Sequence, residues 1–235
     1  DSDWFELYAL PNIELGNIEC NINITTSDTE NPYEINIPIQ IRVSLDQKGF
    51  PINDIVIKSS PIIVDLYGNN FQNIIFGSDD NNVYGYMIDG IEMFGFPYPT
   101  GDDVRSSPAV ADLDKNSSLE LIIGSHDGSL DILNGFGQQL ATHQVNGSIN
   151  GSPAAVDLDQ DGDLEVVFTS YNGNSGDVHA IHHNGSTFYS FPVNLNEKMV
   201  GGAAAGDLDG DGYPELVVCT DAVSYTHLTL PTIYS

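Results

Sequence analysis

The sequence predicts an all-β chain: a partial β-propeller with about four visible blades, each a four-stranded antiparallel sheet, preceded by a different β module at the N-terminus. Three observations predict it. A nine-residue acidic loop recurs, reading DLDKNSSLE from Asp112 to Glu120, DLDQDGDLE from Asp157 to Glu165 and DLDGDGYPE from Asp207 to Glu215. Each copy lies between a small-apolar run and a β-branched run: SSPAVAD and LIIGS, GSPAAVD and VVFTS, GGAAAGD and LVVCT. An older copy, SSPIIVD, ends at Asp65 and leads through LYGNNFQN into IIFGS, so the starts at 65, 112, 157 and 207 stand 47, 45 and 50 residues apart. A repeat of about 40 to 50 residues carrying four short strands is the spacing of propeller blades.

Residues 1–45 lack the loop and form a different module. Within ITTSDTENPYEINIPIQIRVSL, Ile35, Ile37, Ile39, Ile41 and Val43 alternate with period two, the pattern of a half-buried strand.

Residues 46–221 carry the repeat. In each copy the Ala- and Gly-rich run before the loop suits the innermost strand, where blades crowd the axis. The β-branched run after it is the second strand. Asp127-Gly128 and Asn172-Gly173 lead into a third (SLDILN, DVHAIHH), and Asn134-Gly135 and Asn184-Gly185 into a fourth, as hairpin turns do. Gly49-Phe50-Pro51, Gly95-Phe96-Pro97 and Ser190-Phe191-Pro192 recur, their prolines 14, 15 and 15 residues before Asp65, Asp112 and Asp207. This places them in the fourth, outer strand, where a missing N–H is tolerated. The stretch from Asp46 to Lys58 carries the same pattern ahead of the first inner strand, and is expected to complete a final blade.

The acidic loop has the chemistry of a calcium site. Carboxylates at positions 1, 3 and 5 bring hard oxygens together, and a glycine at position 6 lets the chain turn back. An EF-hand needs a bidentate Glu at position 12 between helices. Here position 12 is Ile123, Phe168 or Val218, each inside a β-branched run, and the Glu stands at position 9. The loop therefore joins two strands. The same residues could instead form a self-capping Asx turn without metal, but three or four unneutralised carboxylates at close range repel by about 1 kcal/mol per pair even in water.

The D-x-D-x-D-G-x-x-E loop following SPA(V/A) resembles the FG-GAP or VCBS repeats of integrin α-like propellers, over residues 46–221. The resemblance implies calcium as cofactor. Its ligands would be the side chains of Asp157, Asp159, Asp161 and Glu165 with the Asp163 carbonyl, and those of Asp207, Asp209, Asp211 and Glu215 with the Tyr213 carbonyl. The third set would be Asp112, Asp114, Asn116, Ser118 and Glu120, departing from the pattern with Asn116 at position 5 and Ser117 where glycine belongs. The Asp65 copy keeps only its first acid, with Tyr67, Asn69 and Asn73 elsewhere, and is expected to bind nothing. TTSDTENPYEINIPIQI resembles, more loosely, the closing hairpin of bacterial immunoglobulin-like domains, which implies a truncated sandwich over 1–45. Residues 222–235 are set aside as a non-native tail, since Ser224 to Thr232 resembles a translated sequencing adapter.

Composition narrows the partners. With 34 acidic against 6 basic residues the formal charge is −28, which repels nucleic acid and anionic membranes. No run of 18 apolar residues is present, so no membrane insertion is expected within this chain. Cys20 and Cys219 fall in different modules, which argues against a mutual disulfide. His179, His182 and His183 read as polar residues on a blade edge, because no carboxylate is fixed beside them by sequence. Sequons at Asn23, Asn116, Asn146 and Asn184 mostly coincide with turns. The expectation is a secreted or cell-surface, calcium-stabilised propeller that binds a protein or glycan partner in adhesion. A polysaccharide-degrading or proteolytic enzyme, of which this would be one part, and a purely architectural spacer remain the alternatives. No nucleophile, base and orienter can be named in the repeats.

Overall fold

The computed structural model describes residues 16–25, 34–43, 49–221 and 226–228. The chain divides into two compact units that part between Pro51 and Ile52. Each is described by itself.

The first unit shows one antiparallel hairpin, β1 (Gly16–Thr25) paired with β2 (Glu34–Val43) so that Ile24 faces Ile35 and Ile22 faces Ile37. The alternating run is a strand, as its period predicts. Half-burial is not met at Ile35 and Ile37, which are 36% and 43% exposed. Two strands are common to every antiparallel fold, so the hairpin does not carry the immunoglobulin-like expectation.

The second unit is a partial propeller. Its first blade runs β3 (Ile62–Val64), β4 (Asn73–Gly77), β5 (Asn82–Met87) and β6 (Tyr98–Pro99). The second runs β7 (Ala109–Ala111), β8 (Glu120–Gly124), β9 (Ser129–Leu133) and β10 (Gln139–Gln144), the third β11 (Ala154–Val156), β12 (Glu165–Tyr171), β13 (Gly176–Ile181) and β14 (Val193–Asn194). The fourth shows β15 (Met199–Gly206), β16 (Glu215–Thr220) and β17 (Thr226–Leu228). Neighbours in sequence are neighbours in each sheet, all antiparallel.

The second strands of the middle blades, β8 and β12, are buried along almost their whole length because the second and third blades have a neighbour on both faces. Leu121, Ile123 and Leu133 of the second blade pack with Ile75, Val83 and Met93 of the first. Ile122, Leu130 and Ile132, on the other face, pack with Val166, Phe168 and Ile181 of the third. Val167, Val178 and Ala180 then meet Leu216 and Val218 of the fourth. The core is thus a series of inter-blade layers.

At the axis β11 packs against β7 and β15. A Cβ on Gly151 would lie 2.5 Å from the Gly202 backbone, so only glycine fits there. In the first two blades serines stand at the corresponding place: Ser59 Oγ donates to the Gly77 carbonyl at 2.9 Å, and Ser106 Oγ to Gly124 at 2.8 Å.

The placement of the prolines needs correcting. Pro97 and Pro192 precede the outer strands β6 and β14 instead of lying within them, each following a cis peptide bond as Pro51 does. The proline in an outer strand is Pro99, at the edge of the first blade. The segment before β3 joins the first blade as the connector does at the next junction: Ile57 bridges to Ser78 and the Asp79 amide donates to Val56, as the His126 amide donates to Asp103. Thr226–Leu228, inside the segment set aside as a tail, pairs with β16. Main-chain pairing with an open edge asks little of the side chains.

Candidate functional site

Each acidic loop links the first and second strands of its blade, at the same end of every blade. The β-branched second strand buries the position 9 glutamate that opens it: Glu165 is fully buried, and Glu120 and Glu215 nearly so. Each of these glutamates accepts a hydrogen bond from the backbone amide of loop position 2. Leu113 donates to Glu120 Oε2 at 2.9 Å, Leu158 to Glu165 Oε2 at 2.9 Å, and Leu208 to Glu215 Oε2 at 2.8 Å. The bond folds the loop's start back onto its end.

Three groups of carboxylate oxygens result, each lying within 4.8 Å of one another: Asp112, Asp114 and Glu120; Asp157, Asp159 and Glu165; Asp207, Asp209 and Glu215. These are positions 1, 3 and 9. Position 5 braces the turn instead. Asp161 Oδ1 accepts from the Asp163 amide at 2.9 Å, Asp211 Oδ1 from Tyr213 at 2.9 Å, and Asn116 Oδ1 from Ser118 at 2.7 Å.

The position 1 aspartates differ in a way that bears on metal. Oδ1 of Asp112 and Oδ1 of Asp157 are buried and accept no hydrogen bond. A buried carboxylate oxygen without a donor is costly, and a hard cation would satisfy it. In the third group the Gly210 and Gly212 amides donate to Asp207 Oδ1 and Oδ2 at 2.7 and 3.0 Å. The Asp65 loop closes on itself. Its aspartate accepts from the Asn69 and Asn70 amides at 3.0 and 2.6 Å, while Asn73 replaces the glutamate and still takes the Leu66 amide at 3.1 Å.

Electrostatics follow this packing. Burial pushes the Glu165 carboxyl above its ordinary range, opposed by the Leu158 amide and reinforced by the charge of Asp159. Burial raises Glu120 likewise, against the Leu113 amide and with Asp114 and Asp112 adding to the rise. A divalent cation among these oxygens would reverse both effects. The donor set is all oxygen, which suits calcium.

Two histidines belong to this environment that sequence reasoning left on a blade edge. His182 Nδ1 lies 3.1 Å from Glu165 Oε1, and His183 Nδ1 lies 3.2 Å from Asp163 Oδ2. The signal was the cross-strand register: Val166 pairs with Ile181, which sets Glu165 opposite His182. His179 is buried, stacked on Phe168 at 4.9 Å, with Nε2 2.9 Å from Ser170 Oγ. Burial, aided by His143 and opposed by Asp177, pulls its pKa down to about 4.

Comparison with known proteins agrees with this architecture. Residues 157–218 match the FG-GAP-like repeat family. No curated protein matches the chain. Among solved structures, the computationally designed Ika4 protein is similar with a TM-score of 0.55 at 12% identity, over 80% of this chain and 100% of that one. BBS1N, in complex with ARL6DN, is similar with a TM-score of 0.52 at 10% identity, over 75% of this chain and 52% of that one. The chain therefore spans about half the length of BBS1N. The V. cholerae biofilm matrix protein Bap1 aligns over 70% of this chain and 35% of its own, with 22% identity and a TM-score of 0.42. At these identities the likeness to Ika4 and BBS1N concerns the fold.

Proposed function

We propose that this chain is part of a secreted or cell-surface propeller whose acidic loops hold calcium, and that the propeller serves adhesion by binding a macromolecule or glycan. The observation that carries the reading is the convergence of three carboxylates in each of three loops, with an orphaned buried oxygen at Asp112 and Asp157. Among the loops, that of Asp157 fits a cation best: its position 1 oxygen lacks a donor, and positions 3, 5 and 9 are all acidic. Calcium bound there would neutralise the cluster and tie the first strand to the second. Asp157, Asp159 and Glu165 would hold it, with the Leu158 amide and His182 keeping Glu165 in place.

The role assigned to the ion is structural, since the carboxylates sit at a strand connection. The match of residues 157–218 to FG-GAP-like repeats supports an extracellular setting, where calcium modules work at about 0.1 to 1 mM. The charge of −28 favours partners other than nucleic acid. A thermal melt of the full chain with calcium and with chelator tests the reading.

A further inference from the structure

A polar cleft of about 490 Å³ opens between the second and third blades. Its walls include His126 and Asp127 from the β8–β9 turn, Tyr171 and Asn172 from the β12–β13 turn, and Asn146 and Asn150 from the segment joining the blades. The junction between the first and second blades is built on the same plan. The Val104 amide donates to Ser78 there at 2.9 Å, as the Ile149 amide donates to Ser125 here at 3.1 Å. Arg105 therefore corresponds to Asn150, Asp103 to Ser148, and Asp79 to His126.

At the first junction those positions form a salt bridge, with Arg105 Nε 2.9 Å from Asp79 Oδ1 and Nη2 2.8 Å from Asp103 Oδ2. At the second they are an amide, an imidazole and a hydroxyl, and the charged closure is gone. Other turn asparagines spend their Oδ1 on their own backbone, as Asn134, Asn172, Asn184 and Asn194 do. The Asn146 and Asn150 side chains make no hydrogen bond to the described residues, and both are exposed at the cleft.

We infer that this cleft binds a neutral glycan, which rests on the adhesive reading above and gives it a site. An amide offers two donors and an acceptor, the complement of adjacent sugar hydroxyls. The Tyr171 side chain packs into the layer between the third and fourth blades, so recognition at the cleft rests on these amides. Among the lining residues there is no Lys or Arg, so phosphate, sulfate or uronate groups would lack the partner they need. No aliphatic side chain lines it either, and a protein anchor residue would lack an apolar pocket.

The test is calorimetric titration of the full chain, in calcium, with three neutral polymers (laminarin, galactomannan and dextran) and anionic alginate. Binding of at least one neutral polymer and not of alginate is expected. Asn146→Ala/Asn150→Ala should weaken it about tenfold or more, the loss of one to two hydrogen bonds, with the melting temperature unchanged. Phe94→Ser, at an exposed residue outside the cleft, should leave it unchanged. Neutral binding that survives the double variant places the glycan elsewhere and overturns the cleft alone. Binding of no polymer, or of alginate in preference, also overturns it. The calcium dependence of melting, read on the same sample, tells separately whether the propeller reading stands.

Discussion

The Leu158 amide donates to Glu165 Oε2 at 2.9 Å, closing the acidic loop across seven residues. The same bond recurs from Leu113 to Glu120, from Leu208 to Glu215 and, with a neutral acceptor, from Leu66 to Asn73. Its persistence in the Asp65 copy separates two roles of position 9. One is to hold the loop, which an amide oxygen can do. The other is to supply charge, which needs the carboxylate.

Glu165→Gln and Glu165→Ala should therefore part company. In chelator the glutamine variant keeps an acceptor for Leu158 and relieves a buried charge, so it should melt at or above the wild type. The alanine variant orphans a buried amide, at a cost of about 1 to 3 kcal/mol. In calcium both should show a reduced stabilisation. A glutamine variant less stable than the alanine one in chelator would refute the assignment.

Acid should destabilise the third blade through His179. Its folded pKa of about 4 lies below the ordinary value of about 6.5, so the unfolded chain takes up a proton that the fold refuses. The stability this group gives above about pH 6.5 is lost as the pH falls towards 4, by up to about 3 kcal/mol. Urea unfolding of wild type and His179→Gln in calcium-free buffer at pH 7 and pH 4.5 measures it. The variant should lose less on acidification, and an equal loss would rule out His179 as the source.

The axis tolerates glycine alone at Gly151, where an added Cβ would lie 2.5 Å from the Gly202 backbone, whereas Gly206 has open space around it. Gly151→Ala should cost about 2 kcal/mol or more, and Gly206→Ala should stay within about 0.5 kcal/mol. Chemical denaturation of both variants checks the contrast, which fails if the two are alike.

Much of this was legible in the sequence for a physical reason. Propeller blades repeat in register, so a loop that means little once becomes specific when small-apolar and β-branched runs flank it at constant offsets. The inner and second strands and the Asp157 carboxylate cluster could be anticipated from Asp157, Glu165 and their counterparts. What escaped was whatever depends on register between strands or blades. His182 meets Glu165 because Val166 pairs with Ile181. Pro97 and Pro192 stand just before the outer strands instead of inside them, since a proline marks an edge without saying on which side of a turn it falls. The donors that engage both oxygens of Asp207 depend on turn geometry at Gly210 and Gly212, which composition does not specify.

Residues 46–221 expressed alone should give aggregate or an unstable oligomer, because a partial ring leaves blade edges uncovered. Size-exclusion chromatography with light scattering decides it. A cooperative, monomeric fold would show that the visible blades suffice.

The most direct test of the account is a thermal melt of the full chain in calcium and in chelator, for wild type, Asp159→Ala, Asp209→Ala and Asp114→Ala. At tenfold excess over the dissociation constant each occupied site should add about 1.4 kcal/mol. Asp159→Ala should remove the largest part of the calcium-dependent shift, and Asp209→Ala and Asp114→Ala each less. A melting temperature indifferent to chelator, or a largest effect from Asp114→Ala, would contradict the assignment of the loops as calcium sites.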